Sequence, residues 1–231
     1  MSKCLNRTRW LSALRCMKLY KASKLGSRTV EDDLHSYPLT QRTLHLCVDM
    51  QRLFSPEGPW PTPWMARVLP VVADLAGRHP ERTVFSRFIP PERPTDMPGM
   101  WQRYYTRWKT ATREALDVNL LALAPPLAKL CPPATVVDKT RYSAFAESQL
   151  LYHLQARKAD GLIISGSETD VCVLATVLSA VDLGYRVIVV RDGVCSSSDE
   201  GHDALMTMYH RRYTEQIEVA DAATIMERWE R

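Results

Sequence analysis

Gly161-Leu162-Ile163-Ile164-Ser165-Gly166-Ser167-Glu168-Thr169-Asp170-Val171-Cys172-Val173 is the stretch that decides the fold. Its first four residues form an apolar run, short enough for a strand and bounded by turn residues, so they read as a buried strand. From Cys172 to Gly184 the apolar positions recur at helical spacing. A strand running straight into a helix is half of a parallel βαβ unit, and Cys172 falls at the strand's carboxyl end. In the first turn of a helix, the positive end of the dipole would favour its thiolate, the nucleophilic form. The alternative is a buried cysteine acting as a small hydrophobe.

The same alternation extends in both directions. Leu44–Val48 reads as a first strand ending at Asp49, 83–88 as a second, 134–138 as a third ending at Lys139, 161–165 as the fourth, 186–190 as the fifth and 217–219 as a short sixth. Helical patterns fall at 64–78, 146–157, 172–184, 200–212 and from 222 onward. The long segment 89–133 contains eight prolines and reads as loop with short helices, a length that suggests a functional covering. Strands alternating with helices predict an α/β fold: a three-layer α/β/α arrangement with a mainly parallel, doubly wound sheet of about six strands.

Composition bounds the rest. The 231 residues suffice for one α/β domain, and 45% hydrophobic with 24% charged residues is ordinary globular usage. No apolar run approaches the roughly 18 residues that span a bilayer. The six cysteines show no metal or disulfide spacing, which points to a reducing cytoplasm. Residues 1–28 hold eight Lys or Arg and no acid, leaving 22 basic against 26 acidic residues in the remainder. The body is therefore mildly acidic, and neither a nucleic-acid nor a membrane partner is expected. Residues 1–42 read as a basic extension and linker, poorly ordered, with an organelle-targeting presequence or a basic arm as alternatives. Residues 43–231 form the single domain.

In an open parallel sheet, ligands bind beyond the carboxyl ends of the strands. Asp49, Lys139 and Cys172 all fall there. Singly, each has a bland reading as a turn residue, a surface charge or a packed thiol. Jointly they are coherent: a carboxylate to take a thiol proton, an ammonium to hold the carboxylate ionised, and helix-start N–H groups for an oxyanion.

The ordered motifs carry a resemblance. Asp49-Met50-Gln51-Arg52-Leu53-Phe54, then Val137-Asp138-Lys139-Thr140-Arg141-Tyr142-Ser143-Ala144-Phe145, then Thr169-Asp170-Val171-Cys172-Val173 with Thr176, Ala180 and Gly184, then Val190–Gly193 and His202–Leu205 resemble the isochorismatase-like cysteine hydrolases. That superfamily includes nicotinamidases, N-carbamoylsarcosine amidohydrolases and ureidoacrylate or biuret hydrolases. The resemblance covers about residues 43–230 and implies Asp49 as general base, Lys139 as electrostatic partner and Cys172 as nucleophile. It also implies a cis Ser167–Glu168 peptide, with the backbone N–H groups of Glu168 and Cys172 forming the oxyanion hole. Members often carry a small residue where this chain has Glu168, which either points away from the pocket or reads a polar substrate group.

Nicotinamidases bind a metal through an Asp and several His near strand two. Phe85–Pro90 offers no such ligands, and the histidines at 35, 45, 79, 153, 202 and 210 show no ligand spacing. The expectation is no metal and no other cofactor. Isochorismatases proper lack the nucleophilic cysteine, so Cys172 points to hydrolysis of a C–N bond in a small amide, ureido or carbamoyl compound. Gln51, Phe54, Arg87, Trp101, Trp108 and Tyr142 are the candidate substrate contacts. Trp101, Tyr104, Tyr105 and Trp108 have the spacing of one helix face, which fits an aromatic lid or a packing surface equally. A homo-oligomer, dimer or tetramer, is expected. Two other classes stay open: a catalytically silent binding or scaffold member of the fold, and a redox thiol pairing Cys172 with Cys195.

Overall fold

A computed structural model describes residues 34, 35 and 37–229; the readings made for residues 1–28 lie outside them. Among the described residues, six strands form one all-parallel sheet: β1 (Thr43–Val48), β2 (Thr83–Phe88), β3 (Thr135–Lys139), β4 (Gly161–Ser167), β5 (Arg186–Cys195) and β6 (Ile217–Ala220). Their order is β3-β2-β1-β4-β5-β6, so the winding reverses between β1 and β4. That switch point leaves a crevice beyond the carboxyl ends of two adjacent strands. Asp49 follows one of them, and Cys172 lies just past the other.

Strand side chains alternate between faces, so each buried strand feeds two cores. Leu44, Leu46, Val48, Leu162, Ile164, Val187 and Val189 pack on one face against Leu150 and Leu154 of α4 (Leu150–Ala156), Val177 and Ala180 of α5 (Leu174–Asp182) and Tyr209 of α6 (Asp199–Arg212). On the other, Cys47 and Phe85 meet Met65, Val68, Val72 and Ala76 of α1 (Met65–Arg78). Ile163, Ile188 and Val190 meet Ile225 of α7 (Ala222–Arg228), together with Trp229. Leu34 and Leu39, from the segment read as a linker, are buried in this last cluster. The long 89–133 segment contains two short α-helices, α2 (Gly99–Arg107) and α3 (Pro125–Ala128), and three 3-10 turns.

The structure departs from the sequence reading at three places near the crevice. The fifth strand does not stop at Val190. After an irregularity between Ile164 and Gly166 the ladder resumes, pairing Gly166 with Val194 and Ser167 with Cys195. The helix expected from 146 begins at Leu150, because Glu147 has a φ of +50°, which a right-handed helix cannot contain. Finally, Cys172 is not in the first turn of an α-helix. It lies in a one-turn π-helix, Thr169–Val173, that leads into α5.

Gly166 makes the crevice possible. It has a φ of +119°, and a Cβ there would lie 2.0 Å from Val48 O and 2.6 Å from Val48 N. Only glycine lets the end of β4 approach β1 this closely. Gly166→Ala is expected to cost more than about 3 kcal/mol, combining backbone strain with overpacking against main chain. Urea unfolding measures it; an unshifted midpoint would show that the two strands tolerate separation.

Candidate active site

β1 delivers Asp49. The chain turns there with a φ of +53°, and the Asp49 amide donates to Ser86 O at 3.1 Å. The carboxylate is then held on both oxygens. Ser86 Oγ donates to Oδ1 at 2.7 Å, and Lys139 Nζ lies 2.6 Å from Oδ2, with both side chains of the ion pair wholly buried. Lys139 also donates to the carbonyls of Arg141 and Tyr142, each at 2.9 Å. Its ammonium lies 5.0 Å from the centre of the Phe88 ring. A buried charge is tolerated only when paired and hydrogen-bonded, and Lys139 meets both conditions.

Cys172 is 5% exposed, and its sulfur lies within electrostatic reach of both Asp49 and Lys139. The wide turn that presents it is fastened at several points. The amides of Val171 and Val173 both donate to Glu168 O, at 3.1 and 3.0 Å. Thr176 Oγ1 donates to Cys172 O at 2.7 Å and accepts the Ala144 amide at 2.9 Å. Thr169 Oγ1 bonds His202 Nδ1 at 2.9 Å, and Asp170 accepts Ser196 Oγ at 2.5 Å. The Ser167–Glu168 peptide is cis. π-turns of this kind recur at functional sites.

Electrostatics correct the expectation of a low-pKa thiol. Burial pushes the Cys172 thiol up, and the Asp49 charge adds to that, while Lys139 opposes it. Burial likewise raises the Asp49 carboxyl, against the pull of Lys139. Burial works against the Lys139 charge, but Asp49 and Cys172 outweigh it and hold the ammonium firmly protonated. The arrangement is a neutral thiol beside a strengthened base, able to give up its proton as the sulfur attacks.

Three buried thiols make stability sensitive to alkali. Burial raises Cys47 and Cys172, and pushes Cys195 up to about 12. A raised folded-state pKa means that the folded chain keeps a proton the unfolded chain loses. The stabilisation is complete below the unfolded thiol pKa of about 8.5 and falls as pH rises beyond it. With three thiols the expected slope is about 4 kcal/mol per pH unit above pH 9. Urea unfolding between pH 8 and 10 measures it; Cys172→Ala should remove about a third of the slope, and a flat profile would contradict the burial of all three.

The structure places the other candidates unevenly. Gln51 is fully buried and spends its amide on main chain: Nε2 donates to Phe88 O (3.1 Å) and Leu121 O (2.9 Å), and Oε1 accepts the Phe88 amide (2.6 Å). It ties the covering loop to β2 and has no polar atom left for a ligand. Arg87 makes a two-pronged bond to Asp138, at 2.8 and 2.9 Å. Both follow or precede site residues by one position in a strand, so they project from the opposite face. Phe54 is buried and stacks on Trp60 at 6.2 Å; Trp60 in turn meets Tyr104 (6.3 Å) and Trp108 (6.0 Å). Trp101 packs on Tyr142 at 4.8 Å. Tyr104 and Tyr142 are within electrostatic reach of both Cys172 and Glu168. Tyr105 turns into the core. The aromatic stripe on α2 thus divides between packing and the crevice wall.

Sequence reasoning missed Ser86, Trp60, Thr176 as a fastening for the turn, and the serines after β5. Ser86 lies two residues inside the end of β2, so the strand-end rule that selected Asp49 and Lys139 did not reach it. Trp60, whose indole N–H has no hydrogen-bond partner, lay in a proline-rich loop with no periodicity to place it. Cys172 and Cys195 are both free thiols. Cys195 packs with Cys47 on one face of the sheet, while Cys172 belongs to the core on the other. Among the described residues, no three His, Cys, Asp or Glu side chains come together as a metal set. The residues present therefore do not fit the metal bound by nicotinamidases.

Comparison with known proteins identifies the family. Residues 43–221 match the isochorismatase domain. A stretch of 71 residues is 41% identical to an uncharacterized isochorismatase family protein of Bacillus subtilis, covering 31% of this chain and 39% of that protein. Another of 103 residues is 31% identical to a maleamate amidohydrolase of Pseudomonas putida, covering 42% and 48%. The matches thus span less than half the length of these curated relatives. The crystal structure of a cysteine hydrolase from Pseudomonas syringae pv. phaseolicola shares the fold, with a TM-score of 0.72 at 24% identity over 87% of this chain and 98% of that one. With the domain match running from the first residue of β1 to just beyond β6, the chain belongs to the isochorismatase family.

Proposed function

We propose that this protein is a metal-independent cysteine amidohydrolase that cleaves the C–N bond of a small amide, ureido or carbamoyl compound through a thioester on Cys172. The observation that carries the reading is the wholly buried Asp49–Lys139 ion pair within electrostatic reach of the buried Cys172. The maleamate amidohydrolase and the ureidoacrylate amidohydrolase of Variovorax paradoxus among its relatives support the substrate class.

Asp49 takes the thiol proton as sulfur attacks the carbonyl carbon. The backbone N–H groups of Glu168 and Cys172 receive the oxyanion. Asp49 then passes its proton to the leaving nitrogen, the C–N bond breaks, and ammonia or an amine departs. Water attacks the thioester with Asp49 again as base; the acid leaves and the thiol recovers its proton. Lys139 stays protonated throughout and keeps Asp49 ionised between steps.

The test is ammonia release from a panel of small amides, ureido acids and carbamoyl compounds, with and without a chelator. Release that the chelator leaves unchanged is expected. Activity that vanishes with chelator would remove metal independence, and no release from any class would remove the hydrolase reading.

A further inference from the structure

The residues that lead into the nucleophile are gripped from outside their own turn. Thr169 and His202 are both buried, and Thr169 Oγ1 lies 2.9 Å from His202 Nδ1. Asp170 Oδ1 accepts Ser196 Oγ at 2.5 Å, and Ser196 Oγ itself accepts the Ser198 amide at 3.0 Å. Both partners come from one segment, the stretch between the end of β5 and the first turn of α6. That first turn is pressed close: a Cβ on Gly201 would lie 2.2 Å from Asp170 Oδ2. The His202 ring is backed by Trp64, 5.5 Å away at the start of α1.

A one-turn π-helix is a rare backbone form, and here a second element holds it. The oxyanion donors proposed above are the N–H groups of Glu168 and Cys172, one just before the turn and one near its end. Thr169 and Asp170 lie between them. The direction in which the two N–H groups converge therefore depends on how these two side chains are held. A misplacement of about 1 Å in such a site costs about 100-fold in rate.

Resting on the amidohydrolase reading, we propose that His202 is a positioning residue for the reaction. It acts through Thr169 to keep the two oxyanion-binding N–H groups converged, and Ser196 supplies a second tie through Asp170. His202 exchanges no proton with the substrate.

Two reagents separate the aim of the N–H groups from simple access to the sulfur, and neither requires the natural substrate. Iodoacetamide alkylates a thiol at a saturated carbon, so no oxyanion forms. With p-nitrophenyl acetate, sulfur attacks the carbonyl carbon, the C–O bond breaks, nitrophenolate leaves and the acetyl group stays on sulfur as a thioester. Rates at Cys172 in the folded full-length chain are followed by peptide mass mapping, with Cys172→Ala as the background. Thr169→Val keeps the side-chain shape and removes the hydroxyl. It is expected to slow acylation about tenfold or more while alkylation stays within about threefold of wild type. Thr169→Ser is expected to restore acylation to within about threefold. His202→Leu should match Thr169→Val, and the double variant should be no slower than either, because one bond is lost in every case. Where His202→Leu does not fold, the Thr169→Val and Thr169→Ser pair decides. Acylation unchanged in Thr169→Val, equal falls in both rates, or no recovery in Thr169→Ser overturns the proposal and leaves the hydrolase reading intact. A folded wild-type chain whose Cys172 is not acylated defeats the hydrolase reading itself and this inference with it.

Discussion

Cys172→Ala is expected to lower turnover of any amide that the wild-type protein cleaves by about 10⁴-fold or more, while unfolding within about 1 kcal/mol of wild type at neutral pH. The small stability cost follows from the site's construction. The bonds that fasten the turn run through Thr169, Asp170, Thr176 and the main chain, so none of them passes through sulfur. Cys172→Ser should be nearly as inactive. A hydroxyl binds its proton far more tightly than a thiol, and a carboxylate is too weak a base to remove it even when burial has raised its affinity for protons. Ammonia release paired with urea unfolding makes the measurement. A Cys172→Ala protein retaining a tenth or more of wild-type turnover would assign the chemistry elsewhere.

Lys139→Met should be the most destabilising change in the site, by about 3–5 kcal/mol. Methionine fits the volume, but it leaves the Asp49 carboxylate wholly buried without its counter-charge and strips the Arg141 and Tyr142 carbonyls of their donor. The folded protein would relieve the first penalty by protonating Asp49, and a protonated Asp49 cannot accept the thiol proton. Activity should therefore be lost together with stability. The paired variant Asp49→Asn with Lys139→Met separates the two effects. With neither charge left to bury, it should recover much of the lost stability and none of the turnover. Equal stability of Lys139→Met and wild type, by urea unfolding, would mean that the ion pair contributes little to the fold.

Most of the architecture was legible because strand and helix periodicities act locally. Leu44–Val48 and Gly161–Ile164 are buried on both faces and read as apolar runs; Asp49 and Lys139 stand out as the polar residues that end such runs. The errors came from interactions that sequence distance conceals. Arg191, Asp192 and Gly193 interrupt the apolar run of β5, so the renewed pairing of Val194 and Cys195 with β4 left no mark in its periodicity. Gln51 sits beside Asp49 in sequence, yet its three bonds to main chain at Phe88 and Leu121 make it a tie between loop and sheet. Arg87 falls between Ser86 and Phe88, but alternation sends it to the opposite face, where Asp138 awaits it. The high thiol pKa was missed for a related reason. A dipole argument uses only the adjoining helix, whereas the dominant effect is burial produced by the whole sheet.

The most direct test of a sulfur nucleophile at the β1–β4 crevice is acid quench of the working enzyme on a cleaved amide, followed by peptide mass mapping. An acyl group borne by the Cys172 peptide and released by hydroxylamine is the expected result. Steady turnover with the acyl group on another residue would contradict the mechanism.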